Sequence, residues 1–110
     1  MPDSNHCLIY STHPSLEQAR QTAHALVAES LAACCNILPA MESHYLWEGK
    51  PMHSNEYAMI TKTTRATAPA VMDAIAQQHP YDCPAVLQLP VDAGNPDFLR
   101  WIEERVQSSR

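Results

Sequence analysis

The sequence predicts an α+β domain built on one antiparallel sheet with helices packed against it. Short apolar runs rich in β-branched residues alternate with segments in which apolar residues recur at helical spacing. Their order is βαββαβ followed by one more helix, and the ferredoxin-like fold accommodates that order. The length of 110 residues, 45% of them hydrophobic, fits one domain spanning residues 1–110.

The first strand and the first helix are predicted on either side of Pro14. Residues 7–12 form a short apolar run that suits a strand, and the proline ends it. Ser15 is a favoured N-cap residue, and Gln18 three positions later completes a capping box. The apolar periodicity that follows predicts a helix over residues 15–32.

A long strand over residues 33–48 is predicted next. It is apolar on nearly both faces around Cys34 and Cys35, as in strands that are covered on both sides. Because neighbouring side chains on a strand point to opposite faces, these two thiols are not expected to bind the same ion. Pro39 cannot donate a hydrogen bond to the sheet, so a bulge or bend is expected there.

The return strand is predicted over residues 54–63, after a turn at residues 49–51. This turn would set two aromatic residues opposite the return strand, with Tyr45 near Tyr57 and Trp47 near Asn55. The hairpin is longer than the first strand can cover. We therefore expect its far end to project into solvent or to lie against another subunit.

The second helix is predicted to begin near Thr67, with Pro69 in its first turn. It should end before His79, because Pro80 disfavours a helical conformation in the residue before it. The prolines in residues 80–84 predict a stiff loop.

The fourth strand is predicted over residues 85–89 and the last helix from residue 95, where Asn-Pro-Asp is a strong helix start. Residues 108–110 are expected to fray. With all helices on one face of the sheet, the other face would be bare. Its residues are not polar enough for water, which favours assembly between sheets.

The charge balance argues against nucleic acid and anionic membranes as partners. Twelve acidic residues oppose seven basic ones, giving a net charge of −5. No segment approaches the roughly 20 apolar residues of a membrane span. The first six residues lack the basic and apolar regions of a secretory signal, so a cytoplasmic protein is expected.

Common sequence motifs for phosphate binding and for hydrolytic catalysis are absent from the sequence, and no organic cofactor is expected. Its only glycines are Gly49 and Gly94, so no glycine-rich phosphate loop exists, and neither a GxSxG nor an HExxH motif occurs. The loop at residues 79–84 is the richest in reactive groups, with an imidazole, a phenol, a carboxylate and a thiol. Imidazole and thiolate suit copper or zinc.

Each candidate residue also has a structural interpretation. For the loop at residues 79–84, this interpretation is a structural turn in which Tyr81 is packed and Cys83 is buried. Lys62 either extends to solvent at the end of an apolar strand, as is usual for lysine, or is held near Glu56, Asp82 or a ligand anion. His44 and His53, toward the outer part of the hairpin, are each interpreted as solvated.

Ten segments, in this order, resemble the CutA family of divalent-cation tolerance proteins and cover nearly the whole chain. They are Leu31-Ala32-Ala33-Cys34, Asn36-Ile37-Leu38-Pro39, Tyr45, Trp47-Glu48-Gly49-Lys50, Glu56, Lys62-Thr63-Thr64, His79-Pro80-Tyr81, Pro84, Leu89-Pro90 and Trp101-Ile102. The chain departs from the family at Cys35, at Asp82 and Cys83, and at Ala85, where the family commonly has an acid.

The resemblance implies a homotrimer similar to PII signalling proteins, with hairpins that reach neighbouring subunits. It implies binding of copper or another divalent metal ion, and no enzymatic reaction. The positions that match the family's inter-subunit cleft are Cys34, Trp47, Glu56, Lys62, His79 and Tyr81. We expect Cys34, with His79 or Cys83, to bind the metal.

Three alternatives remain open. A PII-like sensor would bind a small anion or nucleotide through Lys62, with Trp47 or Tyr81 stacking on it. An enzyme would use His79 as acid or base and Lys62 as an electrostatic partner, but no nucleophile geometry is visible, so this ranks last. A structural scaffold would use the 79–84 loop only to hold the trimer.

Overall fold

A computed structural model describes residues 5–106, so the predictions for residues 1–4 and for the 108–110 tail lie outside the described residues. The order βαββαβ plus a helix is confirmed. The elements are β1 (His6–His13), α1 (Leu16–Ala28), β2 (Cys34–Trp47), β3 (Lys50–Thr64), α2 (Ala68–Gln78), β4 (Val86–Pro90) and α3 (Pro96–Arg105). They form a four-stranded antiparallel sheet in the order β2-β3-β1-β4. Within residues 5–106, no helix is long and apolar enough to cross a membrane.

Helix α1 starts as predicted but ends earlier. Ser15 caps it, its hydroxyl accepting a hydrogen bond from the Gln18 backbone N–H at 3.1 Å. The predicted end at residue 32 is wrong, because Ser30 takes a left-handed conformation with φ of 60°. The next two backbone N–H groups then bond to the Leu26 carbonyl, which closes the helix.

The hairpin of β2 and β3 turns earlier than predicted, so its predicted pairing is wrong. The turn residues are Glu48 and Gly49, with φ of 51° and 80°. Positive φ at both positions is typical of the two-residue turn whose twist matches the flanking strands. The observed partners include Trp47 with Lys50 and Tyr45 with Met52.

The bulge expected at Pro39 is confirmed. The register between β2 and β3 shifts by one residue between Leu38 and Met41. Ala40 has φ of 62°, which places the extra residue of β2 there.

The main core lies between the sheet and the first two helices. Ile9 and Met59 from the sheet are fully buried against Leu26, Val71 and Ile75. Cys35 also packs against this core.

The opposite face of the sheet is only partly bare. The prediction that all helices share one face is wrong, because α3 packs on the other face, where Lys62 lies 5.4 Å from the Phe98 ring centroid. Ile102 is buried in this second, smaller core. Farther along the face, Leu87 remains 60% exposed, and Leu89 is also exposed.

Candidate functional site

A cavity of about 650 Å³ lies where the hairpin meets the loop after α2. Successive side chains of a strand point to opposite faces, so every second residue along part of β3 lines the cavity. The β2 strand and the loop supply the rest. The lining residues are Tyr45, Trp47, Met52, Ser54, Glu56, Tyr81, Asp82 and Cys83.

The charge of this cavity is negative. Glu56 and Asp82 are its two acidic residues, and no lysine or arginine lines it. Glu56 is only 8% exposed. Burial raises the pKa of the Tyr81 phenol, and the nearby Glu56 carboxylate raises it further. The cavity therefore favours a cation over an anion.

His79 holds in place the loop that lines part of this cavity. Its ring is buried, and Nε2 donates a hydrogen bond to the Thr12 carbonyl at 2.7 Å. Nδ1 accepts one from the Tyr81 backbone N–H at 3.2 Å. Both ring nitrogens are thus engaged within the chain, and the imidazole fixes the start of the loop. A metal ion on His79 would have to displace one of these hydrogen bonds.

A second buried histidine lies next to it and was not predicted. His13 is fully buried at the end of β1, with its ring centroid 5.2 Å from that of His79. Its Nδ1 donates to the Gln18 side-chain carbonyl, and its Nε2 accepts from the Ser11 hydroxyl at 2.8 Å. Burial lowers the pKa of this imidazole. The predicted capping box is therefore only half formed, because the Gln18 side chain holds His13 instead.

Cys34 and Lys62 lie elsewhere, as cross-strand partners near α3. Lys62 and Glu56 are both on β3, six residues apart. At about 3.3 Å per residue, this separates their positions by about 20 Å. The residues predicted to form one cleft thus fall into two groups within a single chain. Trp47, Glu56 and Tyr81 line the cavity, whereas Cys34 and Lys62 lie at the other end of the sheet.

The four cysteines are free and differ in access. Burial raises the pKa of the Cys7 and Cys35 thiols. Cys34 is partly exposed, and Cys83 is exposed at the cavity. The alternative in which Cys83 is buried is wrong for the single chain, since Cys83 is exposed. Tyr81 is 46% exposed, and its ring packs against that of His79 at a centroid distance of 4.8 Å.

A metal site within one chain is not preassembled in residues 5–106. No group of three or more His, Cys, Asp or Glu side chains is positioned there to hold an ion. Cys34, His79 and Cys83 therefore do not form a single-chain cluster. Cys83, Asp82 and Glu56 do line one cavity, so suitable donors surround the same space.

Sequence reasoning did not place Met52 or Ser54 in the site, and it included the Asp82 carboxylate only as part of the reactive loop. The alternation of Met52, Ser54 and Glu56 along β3 was a usable signal. The incorrect hairpin register concealed that Tyr45 lies opposite Met52.

Comparisons with known proteins agree with this fold. The family model for the CutA1 divalent ion tolerance protein matches residues 7–105. The divalent-cation tolerance protein CutA of Archaeoglobus fulgidus is 41% identical over 102 residues, covering 93% of this chain and 99% of the relative.

Two solved structures are also similar. CutA1 from Oryza sativa has a TM-score of 0.92 at 36% identity, covering 94% of this chain and 95% of that one. The periplasmic divalent cation tolerance protein CutA from Archaeoglobus fulgidus has a TM-score of 0.89 at 41% identity, covering 93% of this chain and 99% of that one. The relative's periplasmic location leaves the expected cytoplasmic location of this chain a prediction. With its family match, identity and fold all in agreement, the chain belongs to the CutA1 divalent ion tolerance protein family.

Proposed function

We propose that the protein acts in divalent-cation tolerance as a homotrimer that binds copper or another divalent metal ion. The observation that carries the proposal is the donor set of the hairpin cavity. It combines the carboxylates of Glu56 and Asp82 with the exposed thiol of Cys83, and it has no basic lining residue. Such a cavity attracts cations, and its thiol favours soft ions such as copper.

The four thiols have two different roles in this proposal: two are available as metal ligands, and two belong to the core. Cys34 and Cys83 reach solvent, so they are available as ligands. Cys7 and Cys35 are held in the core with raised pKa values, which disfavours the thiolate that a metal needs. His79 orients the loop that carries Cys83, since both its ring nitrogens are already hydrogen-bonded.

Exposed apolar surface supports the trimer. Within residues 5–106, eleven large hydrophobic residues are exposed, and only Val27 of these lies on helix α1. The others lie on the hairpin, the loop, β4 and α3: Leu38, Tyr45, Leu46, Trp47, Met52, Tyr81, Leu87, Leu89, Phe98 and Trp101. So much exposed apolar surface on a small domain is typical of a surface that another copy covers.

The trimer would also bring together the residues that the family resemblance assigns to one inter-subunit cleft. Cys34 and Lys62 are distant from the cavity in their own chain, so we place them against the cavity of a neighbouring subunit. Cys34 of one copy would then face Cys83, Asp82 and Glu56 of the next. This arrangement assembles between chains the ligands that residues 5–106 of one chain do not cluster.

A copper titration tests the proposal. The wild-type protein should bind copper saturably, and Cys83→Ser and Asp82→Asn should weaken binding. Asp73→Asn, an exposed acid on α2 outside the cavity, is the matched control and should bind as the wild type does. Unchanged copper affinity in both cavity variants would contradict the proposal.

One observation favours a second candidate, a PII-like sensor of small anions between subunits. The Lys62 ammonium lies over the Phe98 ring and makes no ion pair within residues 5–106. A cation without a carboxylate partner is available to an anionic ligand. A thermal-shift screen of nucleotides and organic anions would detect it, and Lys62→Ala should abolish any shift. No shift with any ligand would remove the support for this candidate.

A further inference from the structure

Two exposed histidines face each other across the hairpin, away from the thiols. His44 on β2 and His53 on β3 are cross-strand partners. Their ring centroids are 5.4 Å apart, and the ring planes are inclined by 27°. Both side chains are exposed, so the pair is held together by the strand register and not by burial.

The two histidine side chains are close because they form a non-hydrogen-bonded pair of the antiparallel ladder. Pro51 has no N–H, so its pair with Leu46 fits the non-hydrogen-bonded kind. The two kinds of pair alternate along an antiparallel ladder, so the pair of His44 and His53, two positions on, is of the same kind. At such pairs the Cα atoms are only about 4.5 Å apart and the side chains are closest.

A carboxylate lies beside the pair. Glu42 Oε1 accepts a hydrogen bond from His44 Nε2 at 3.1 Å. A carboxylate that accepts from one nitrogen of an imidazole fixes the ring and makes the other nitrogen a better metal ligand. The carboxylate also offsets the charge of a bound cation.

The chain's other histidines differ from this pair. His6 Nε2 lies 2.6 Å from the Glu103 carboxylate, and His13 and His79 are buried in the hydrogen bonds described above. His24 is exposed on α1, but it is not part of a histidine pair. His44 and His53 are therefore the two imidazoles that are both exposed and adjacent.

We propose that His44 and His53 together bind one divalent transition-metal ion, such as Zn²⁺, Ni²⁺ or Cu²⁺, on the outside of the hairpin. Imidazole suits these borderline cations, whereas thiolate suits softer ones. The two imidazoles are the protein ligands, Glu42 supports them, and water completes the coordination. The bound ion links β2 to β3 between the bulge and the turn, and so stabilises the projecting hairpin.

This inference extends the proposed metal binding to a second site but does not depend on the thiols. Zn²⁺ titration of the full chain by calorimetry tests it in five variants: His44→Gln, His53→Gln, His24→Gln, Cys34→Ser and Cys83→Ser. Each hairpin variant should weaken one Zn²⁺ equivalent per chain by at least about tenfold. His24→Gln removes another exposed imidazole and should leave that equivalent unchanged.

The thiol variants separate the two proposals. If Cys34→Ser and Cys83→Ser each lose one copper equivalent per chain while the Zn²⁺ equivalent persists, both sites exist. If they keep the wild-type number of copper equivalents, the proposed function fails, and a Zn²⁺ equivalent that persists in them still supports the hairpin site. Zn²⁺ binding that is equal in the wild type, His44→Gln and His53→Gln overturns the hairpin site, provided that the metal-free melting temperatures of the three proteins agree.

Discussion

Glu56 and Lys62 lie on the same strand six residues apart, and this spacing keeps their backbone positions about 20 Å from each other. The carboxylate faces the hairpin cavity, whereas the ammonium lies over the Phe98 ring. A cleft that gathers both side chains therefore has to combine two copies of the chain. In the proposed trimer, the assembly state and the position of the metal are therefore linked.

The oligomeric state is the first prediction. The chain mass is 12.3 kDa, so light scattering should give about 37 kDa for a trimer. Leu87→Asp introduces a charge on the exposed apolar face of β4 and should shift the mass toward the monomer. Val27→Asp makes the same change at the exposed hydrophobic residue of α1 and should leave the mass unchanged. A monomeric wild-type protein at micromolar concentration would contradict the trimer.

The thiols should differ in reactivity. Burial raises the pKa of Cys7 and Cys35, so at pH 8 they hold less thiolate and react more slowly. A thiol reagent such as DTNB should modify two cysteines per chain quickly and the other two only as the protein unfolds. The double variant Cys34→Ser, Cys83→Ser should lose the fast phase. Four equally fast thiols would refute this assignment.

The stability should fall in mild acid because of His13. Burial lowers its pKa from the ordinary value of 6.5, so the unfolded chain binds a proton at pH values where the folded chain does not. The free energy of unfolding therefore falls as the pH drops below about 6.5. His13→Asn should reduce the difference in melting temperature between pH 7.5 and pH 5.5, whereas His24→Asn should not. The same pH dependence in His13→Asn and the wild type would exclude this role for His13.

His79 should act through stability and not as a metal ligand. His79→Ala leaves the Thr12 carbonyl and the Tyr81 N–H without their partner, which should lower the free energy of unfolding by about 1–3 kcal/mol. Chemical denaturation measures the loss, and calorimetry on the folded variant should find the wild-type copper stoichiometry. A lost copper equivalent at unchanged stability would reverse the assignment.

Local signals predicted most of the fold. Helical periodicity, the Ser15 cap and the Asn95 start fixed the helices to within a few residues. Pro39 marked the bulge, because its missing donor is a property of the residue itself. The end of α1 was not predicted correctly, because nothing about Ser30 as a residue type requires its positive φ.

The site depended on contacts that sequence spacing does not encode. The hairpin register was missed because Glu48, and not Lys50, joins Gly49 in the turn. That shift decides which side chains line the cavity. The Gln18 side-chain amide also donates a hydrogen bond to the Gln78 backbone carbonyl at 3.0 Å. This contact joins α1 to the end of α2, although the two residues are sixty positions apart in the sequence. The family resemblance implied a set of cleft residues, but not that a single chain divides them between two regions.

The position of the bound metal tests the central claim most directly. Crystals grown with copper and measured at the copper absorption edge would locate each ion by its anomalous scattering. We predict a peak in the hairpin cavity beside Cys83 and Asp82, with Cys34 of a neighbouring subunit facing it. A fully loaded crystal with no copper in that cavity would contradict the account.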